Sequence, residues 1–345
     1  MTNTTTTSPT ITPRIILGTM TFGLESTEAK TSAVRVRGVD SVAPFLTTFH
    51  SHGHVEVDTA RIYSNGDTEI VLSQLPTAHL KIATKIYAFT PGSHSKENLP
   101  TQFRASLKAL NAEKIDVLYL HVPDYDTPYE ETLKAIDDLY KEGLFERFGL
   151  SNYSAWNVAQ IYEICKQNGY VLPSVYQGMY NPISRSVTTE LLPCLKHYNI
   201  SFYAYNPICG GVLSGKYNFN VDPEGTRYDP KTQIGQMARD WYWNKANFEA
   251  VQALTKVATA QNLTLLEATL RWMRHHSSLT AHDGIVIGST SIAQLEESLT
   301  ELEKGPLPEE MIRAFDEAWE MCKGTTNWYF RGPDASMPDF LKREE

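Results

Sequence analysis

Four polar residues have side chains suited to delivering a proton to a carbonyl group that is being reduced: Asp58, Tyr63, Lys85 and His121. A phenol with a pKa of about 10 is too weak an acid for this task unless a neighbouring group shifts that pKa. A cationic lysine beside the tyrosine favours the phenolate and lowers its pKa, and an aspartate paired with the lysine keeps the ammonium charged. The imidazole can donate a hydrogen bond to the carbonyl oxygen. Because side chains supply no hydride, such a reaction also requires a cofactor.

Each of these residues, taken alone, has an ordinary structural interpretation as a helix cap, a solvated charge or a core side chain. Their joint placement is what favours function. Asp58, Lys85 and His121 lie at or just past the ends of three consecutive apolar runs, and Tyr63 lies in the loop five residues beyond Asp58. The carboxyl ends of parallel strands meet at one edge, where α/β proteins carry out their chemistry. The spacing therefore predicts one shared site.

Short apolar runs alternate with amphipathic segments along the chain, which predicts an α/β protein closed as a (β/α)8 TIM barrel. The alternative is an open doubly wound sheet, which would need a glycine-rich phosphate turn, and RIILGTMTFG contains no GxGxxG motif. The eight predicted strands are 14–19, 55–59, 81–85, 115–121, 145–151, 173–178, 200–206 and 284–289.

Helix signals fill the segments between these strands. The pattern at 127–143 begins with Thr127 as N-cap and Pro128 at the first helical position and stops at Gly143. The pattern at 154–169 begins with serine and ends with glycine. The other predicted helices are 99–111, 247–261, 264–277 and 308–322.

The chain is predicted to hold one catalytic domain. We expect a disordered polar tail at 1–13, a single barrel domain at 14–333 and a C-terminal extension at 334–345. The strand-poor segment 207–246 exceeds the usual length of a loop and is predicted to cover the cofactor.

Composition and charge exclude several classes of partner. The net charge of −9 argues against nucleic acid and anionic membranes, which require a cationic face. No apolar run approaches the ~18 residues needed to span a bilayer. The four scattered cysteines fit reduced thiols in a cytoplasmic protein. His50, His52 and His54 flank Gly53 at a helix end and lack a separated second pair of ligands, so no metal site is expected.

Asp58, Tyr63, Lys85 and His121 resemble the catalytic tetrad of the aldo-keto reductase superfamily. The segments GLSNYSAW, VYQGMYNPISR, FYAYNPICGGVLSGKY and NWYFRG resemble its aflatoxin-aldehyde-reductase branch, and the similarity runs from about residue 14 to 333. The resemblance implies an NADPH-dependent reductase of aldehydes or reactive ketones, with Tyr63 as general acid. It also implies a small-molecule carbonyl substrate, NADPH bound without a Rossmann fold, and a possible homodimer.

By the same resemblance, Ser151, Asn152 and Gln177 would hold the nicotinamide carboxamide, and Tyr205 would stack on the nicotinamide ring. The following run satisfies GxxxxGK, the start of a P-loop, but Tyr217 stands where magnesium binding would need serine or threonine. We interpret the run instead as a close approach of glycine backbone to the cofactor pyrophosphate. The residues predicted to contact this part of the cofactor are Asn206, Pro207, Gly210, Gly211 and Lys216.

The adenosine end of the cofactor is assigned to GSTSIAQLEES. Gly288, Ser289 and Thr290 offer donors at a helix N-terminus, and Gln294 and Glu297 fall where relatives contact adenosine. The cations available for a ribose 2′-phosphate are Lys216, Arg227 and Arg239. Arginine suits that group better than lysine does, so NADPH is favoured over NADH.

Two residues are predicted to shape the substrate pocket. Arg331 resembles the tail arginine that meets acidic groups on substrates, and Trp241 stands where relatives commonly carry arginine. The alternative functions are a redox-sensing regulatory subunit, like the potassium-channel β-subunits that share this tetrad, and a tailoring reductase or epimerase of a biosynthetic pathway.

Overall fold

The computed structural model describes residues 12–27, 33–88 and 90–333. The expected extension at 334–345 lies outside these residues, as does the expected disordered tail except for its last two residues.

Eight parallel strands close into a barrel, which confirms the predicted (β/α)8 fold. The runs form strands because they are apolar on both faces, as strands enclosed by helices must be. The barrel strands are β1 Arg14–Gly18, β4 Glu56–Asp58, β5 Lys81–Ile86, β6 Ile115–Leu120, β7 Phe145–Ser151, β8 Pro173–Met179, β9 Ser201–Tyr205 and β10 Gly284–Ile287. Around the barrel the order is β1, β10, β9, β8, β7, β6, β5, β4, so that β4 returns to β1.

A second, small sheet was not predicted. It pairs β2 Phe22–Gly23 with β3 Val36–Arg37 in parallel, within the excursion between β1 and the first helix. Two-residue strands are too short to show the alternation by which strands are identified in a sequence.

All six predicted helices are present among eleven in the described residues. Their bounds are α1 Val39–Ser51, α2 Asp67–Ser73, α3 Asn98–Leu110, α4 Tyr129–Lys141, α5 Ala155–Asn168, α6 Leu191–His197, α7 Gln233–Tyr242, α8 Lys245–Ala260, α9 Leu265–His275, α10 Ile292–Glu303 and α11 Glu309–Cys322. Within these residues, no helix combines the length and apolarity needed to cross a membrane.

The predicted cap of α5 is confirmed, whereas that of α4 is wrong. Ser154 accepts a hydrogen bond from the Asn157 backbone N–H at the start of α5. Thr127 does not cap α4, because Pro128 occupies the N-cap position. The Thr127 hydroxyl instead donates to the Asp124 carboxylate at 2.7 Å. The helix begins one residue later than predicted, so Thr127 lies outside the cap position.

Side chains, rather than solvent, fill the barrel. The interior cluster consists of Ile16, Ala83, Val117, Tyr119, Val175, Tyr203 and Val286. Tyr119 is fully buried and lies in register with Gly149 on β7. A Cβ at Gly149 would come within 2.3 Å of the Tyr119 ring, so glycine is required for this ring to pack.

The end of the barrel at the strand N-termini is closed by a network of paired charges. Arg147 donates to Asp116 at 2.6 Å, to Glu56 at 3.3 Å and to the Tyr203 hydroxyl at 3.1 Å. Arg14 also donates to that hydroxyl, at 3.0 Å. Because these four charged side chains find partners within the chain, the network stabilises this end of the barrel.

Candidate active site

The four residues of the predicted tetrad come together at the opposite end, where the strands terminate. Asp58 is the last residue of β4, Lys85 is the penultimate residue of β5, and His121 directly follows β6. Tyr63 begins a short 3-10 helix, Tyr63–Gly66, rather than lying in an irregular loop. The order of the strands in the barrel thus gathers side chains that are separated along the chain.

Lys85 organises the site through its three ammonium protons. The side chain is fully buried. It donates to Asp58 Oδ2 at 2.6 Å, to the Thr59 carbonyl at 2.9 Å and to the Tyr63 hydroxyl oxygen at 3.5 Å. An ammonium can only donate, so the Tyr63 oxygen must accept from Lys85. The phenolic O–H is therefore left to point toward another acceptor.

The second carboxylate oxygen of Asp58 is held by Gln177. The Gln177 amide nitrogen donates to Asp58 Oδ1 at 2.8 Å. Sequence reasoning assigned Gln177 to a nicotinamide carboxamide and did not foresee this bond. Since the amide nitrogen is engaged with Asp58, the Gln177 carbonyl oxygen is the atom that can accept from a ligand.

The expected decrease in the pKa of Tyr63 is wrong in its net direction. Desolvation by burial is the largest influence, and it raises the pKa of Tyr63 above its usual value. The Lys85 charge lowers this pKa, as expected, but less strongly, and the Asp58 charge raises it. The phenol therefore keeps its proton at neutral pH.

His121 is held neutral. Desolvation, followed by the charges of Lys85 and Arg331, lowers the pKa of His121 well below its usual value. Its ring meets those of Tyr63 and Tyr87 edge-on, with centroids 6.2 Å and 5.2 Å away. Sequence reasoning missed Tyr87, although it lies on the same strand end two residues beyond Lys85. A neutral imidazole can donate one hydrogen bond but is no strong acid.

Three of the four residues predicted to hold the nicotinamide form one hydrogen-bonded chain beside the tetrad. Asn152, in the left-handed region with φ 64°, donates to the His121 carbonyl at 2.8 Å and to Ser151 Oγ at 3.0 Å. The Tyr205 hydroxyl donates to Asn152 Oδ1 at 2.9 Å. These bonds join the three residues to the backbone of His121, and their assignment to a nicotinamide stays a prediction.

The glycine run after Tyr205 does not form a P-loop. It follows Asn206 and Pro207 as a 3-10 helix, Cys209–Ser214, with φ of 63° at Gly210 and 101° at Gly211. No helix begins after this run until Gln233, whereas a P-loop leads directly into one. Lys216 is exposed, with Nζ 5.0 Å from the Tyr217 ring centroid.

In the turn before α10, the side chain of Gln294 is hydrogen-bonded and that of Ser289 is not. Gln294 Oε1 accepts from the Thr290 backbone N–H at 3.1 Å and from its hydroxyl at 2.9 Å, so this amide oxygen caps the turn. The Ser289 hydroxyl is buried without a hydrogen-bond partner in the described part of the chain. Glu297 is exposed one helical turn away, and Gly288 opens the turn after β10.

The two arginines predicted for a cofactor phosphate differ in their surroundings. Arg239 pairs with Asp222 at 2.9 Å and lies over the Trp243 ring at 4.5 Å. Arg227 has a buried Nε that meets no hydrogen-bond partner among the residues described. Of the two side chains, that of Arg227 therefore has the buried donor that an oxygen of a bound phosphate could satisfy.

The two predicted substrate residues lie together above the tetrad. The Arg331 guanidinium is 5.6 Å from the Trp241 ring centroid. The backbone N–H of Arg331 donates to the Asn152 carbonyl at 2.9 Å, and the Tyr125 hydroxyl donates to the Arg331 carbonyl at 2.8 Å. These bonds seat the C-terminal tail on the barrel mouth.

Two of the three closely spaced histidines, His50 and His52, contact side chains of other segments. His52 lies 2.8 Å from Glu303 and 3.2 Å from Glu296, which joins the end of α1 to α10. His50 packs against His79 with ring centroids 4.4 Å apart. In the ranges 12–27, 33–88 and 90–333, no cluster of three His, Cys, Asp or Glu side chains is arranged to hold a metal ion.

Comparison with known proteins finds sequence similarity along the whole barrel. The model of the Aldo/keto reductase family matches residues 14–320. An aldo-keto reductase of Pseudocercospora fijiensis (strain CIRAD86) is 46% identical over 83% of this chain and 99% of its own length. Human aldo-keto reductase family 7 member A3 is 41% identical over 92% of this chain and 97% of its own. Mouse aflatoxin B1 aldehyde reductase member 2 is 40% identical over 92% and 88%.

The buried pair of Lys85 and Asp58 predicts a large loss of stability on Asp58→Asn. The change preserves shape but leaves the buried ammonium without its anion, which costs about 3 to 5 kcal/mol. Without Asp58, the pKa of Lys85 in the folded state falls below that in the unfolded state. Stability of the variant should then increase as pH rises, because the unfolded state binds more protons. Urea unfolding at several pH values measures both effects.

Asp138→Asn is the matched control, because Asp138 pairs with Lys134 at 2.5 Å on the exposed face of α4. An exposed pair of this kind contributes little to stability, because solvent screens the two charges. Equal costs for the two substitutions would show that the Lys85–Asp58 pair is not a buried constraint.

Proposed function

The chain belongs to the aldo/keto reductase family and is an oxidoreductase that reduces aldehydes or ketones, and we propose that NADPH supplies the hydride and Tyr63 the proton at its barrel mouth. The three hydrogen bonds of Lys85 are the observation that carries the proton assignment. They fix the Tyr63 oxygen as an acceptor and leave its proton available to the substrate.

In this mechanism the nicotinamide cofactor provides the hydride that no side chain can supply. Tyr63 donates its proton to the carbonyl oxygen as negative charge develops there. Lys85 stabilises the phenolate that remains, and Asp58 keeps Lys85 charged and oriented. His121, held neutral, donates a hydrogen bond that orients the carbonyl oxygen.

The residues along the barrel mouth fit a dinucleotide cofactor. The unpaired Arg227 Nε and Ser289 hydroxyl are donors suited to phosphate oxygens. Ser151, Asn152, Gln177 and Tyr205 would hold the nicotinamide next to Tyr63. We assign NADPH rather than NADH because the site carries cations, Lys216 and Arg239 among them, that can meet a 2′-phosphate.

The relatives include proteins whose names describe them as aflatoxin B1 aldehyde reductases, and we propose aldehydes with an acidic group as substrates here. Arg331 supports this proposal because the charge of its guanidinium lowers the pKa of His121 at the barrel mouth. Trp241 beside it supplies an apolar wall. A cytoplasmic location and a homodimer remain predictions.

Tyr63→Phe should reduce turnover of 4-nitrobenzaldehyde by about 10²- to 10⁴-fold, the usual contribution of a general acid. The dissociation constant of NADPH should change less than about twofold, because the phenol acts on the substrate. Steady-state assays of NADPH oxidation and fluorescence titration measure the two quantities.

Tyr140→Phe, at an exposed tyrosine on α4, is the control and should leave both quantities unchanged. Near-normal turnover of Tyr63→Phe would exclude the general-acid assignment. Tight NADPH binding without turnover in the unaltered protein would favour the redox-sensing alternative.

The pKa directions predict a flat pH profile for the reduction of a neutral aldehyde. The pKa of Tyr63 is raised above 10.0 and that of Lys85 above 10.5, so both stay protonated from pH 6 to 9. The pKa of His121 lies well below 6.5, so the imidazole stays neutral over this range. We expect kcat/KM to vary less than about threefold. A titration step near pH 6.5 that disappears in His121→Gln would show instead that His121 changes charge during function.

Arg331→Met should raise KM for succinic semialdehyde about tenfold or more, because a hydrogen bond to a charged group contributes about 1.5 to 3 kcal/mol. The methionine retains packing against Trp241 while removing the charge. KM for neutral 4-nitrobenzaldehyde should stay within about twofold. Arg313→Met on α11 provides an exposed control. Equal increases in KM for the two aldehydes would contradict a charge-specific role for Arg331.

A further inference from the structure

Tyr63 is followed by three residues whose backbone lies in the left-handed region. The φ angles are 50° at Ser64, 56° at Asn65 and 99° at Gly66. Residues with a Cβ atom rarely adopt this conformation, and it persists only where surrounding contacts hold it in place. We call residues 63–66 the tyrosine turn. The position of the proposed proton donor therefore depends on contacts that this turn makes with its neighbours.

The backbone just before the tyrosine turn is attached to strand β5. The Arg61 N–H donates to the Lys85 carbonyl at 3.1 Å. The Tyr63 N–H donates to the Ala60 carbonyl at 3.0 Å, which is a local bond that shapes the turn. Arg61 is thus fixed to the strand that supplies the buried ammonium, and its side chain is free to contact the turn that follows.

The Arg61 side chain connects the two ends of the tyrosine turn. Its guanidinium donates to Glu69 Oε2 on α2 at 2.5 Å and to the Asn65 carbonyl at 3.4 Å. A Cβ atom at Gly66 would come within 2.3 Å of the guanidinium, so this group lies directly against the backbone of the turn. The ion pair therefore joins a residue before the turn to a residue after it, and it contacts two of the three left-handed residues.

Glu69 is a fixed anchor for the guanidinium. Its carboxylate is fully buried, and the other oxygen accepts from the Thr84 hydroxyl at 2.7 Å. Thr84 directly precedes Lys85 on β5, so the carboxylate is attached to the same strand as the ammonium. A buried carboxylate must be paired, and within the described residues Arg61 is the cation that pairs with it. The pair cannot separate without leaving that charge unpaired.

The bond between Lys85 and Tyr63 is sensitive to the position of the turn. At 3.5 Å it is the longest of the three hydrogen bonds that the ammonium makes. A small displacement of the turn would break it, and the phenol would lose the charge that stabilises its conjugate base. The contacts that fix the turn therefore bear on the reaction itself.

We propose that Arg61 and Glu69 are positioning residues for the reduction. Their ion pair fixes the tyrosine turn against α2 and β5, which keeps the Tyr63 hydroxyl at Lys85 and directed to the carbonyl oxygen. Among the described residues neither side chain bonds to a tetrad side chain, so both act through the turn. This inference rests on the proposed role of Tyr63 as proton donor.

The test removes the guanidinium in Arg61→Met and measures single-turnover reduction of 4-nitrobenzaldehyde at saturating NADPH. We expect the rate to fall about tenfold or more, because a small misplacement of a reacting group can cost up to about 10²-fold. The dissociation constant of NADPH should stay within about twofold. Arg104→Met breaks an exposed pair with Glu142 at 2.6 Å and should leave both quantities unchanged. An unchanged rate in Arg61→Met would overturn the proposal.

A double variant distinguishes positioning of Tyr63 from a general loss of structure. If Arg61 acts through Tyr63, Arg61→Met should lower the rate less than about twofold in a protein that already carries Tyr63→Phe. Equal losses in the two backgrounds would show that Arg61 acts on the fold or on cofactor binding. That result would also overturn the proposal.

A paired substitution keeps the test available if Arg61→Met does not fold. Arg61→Met combined with Glu69→Gln removes both charges together, so no buried carboxylate is left unpaired, and the same two measurements apply. Near-normal turnover of Tyr63→Phe would refute the proposed proton donor. A large loss in Tyr63→Phe without any loss in the Arg61 variants would refute only the positioning role.

Discussion

The buried ammonium of Lys85 is the constraint on which the active site depends. A charge removed from water must be met by partners that satisfy each of its protons. Those partners are a carboxylate at the end of β4, a carbonyl one residue later and the phenol of Tyr63. The register helps to achieve this, because Ala83 lies opposite Asp58 and Lys85 follows two residues later on the same face of β5. The geometry of proton transfer is thus a consequence of satisfying one buried charge.

Charged and polar side chains find different numbers of partners at the two ends of the barrel. At the N-terminal end, Arg147 has two acidic partners and a tyrosine, and the network is complete within the chain. At the C-terminal end, the Arg227 Nε and the Ser289 hydroxyl are buried without a hydrogen-bond partner among the described residues. Between them the aromatic and aliphatic side chains of the interior separate the two regions. This contrast in hydrogen bonding favours ligand binding at the C-terminal end, in agreement with the general behaviour of the fold.

The sequence predicted best the elements that a continuous apolar pattern along the chain encodes. It predicted worst the features that depend on burial and on contacts between distant residues. The barrel strands were predictable because each is an apolar run, whereas β2 and β3 are too short to show any period. The proximity of Tyr63 to Lys85 was predictable from strand ends, but the degree of burial that dominates the pKa of Tyr63 was not. The hydrogen bond from Gln177 to Asp58 joins residues 119 positions apart, and no local pattern in the sequence records such a contact.

The raised pKa of Tyr63 is compatible with its proposed role as proton donor. In the resting site, burial keeps the phenol protonated, which is the state the reaction requires. The alkoxide that forms on hydride transfer is a far stronger base than a phenolate, so a phenol of raised pKa can still protonate it. As the proton leaves, the developing phenolate gains attraction from Lys85 that the neutral phenol lacks. The ammonium therefore stabilises the transition state more than the ground state, which is the condition for a side chain to accelerate a reaction.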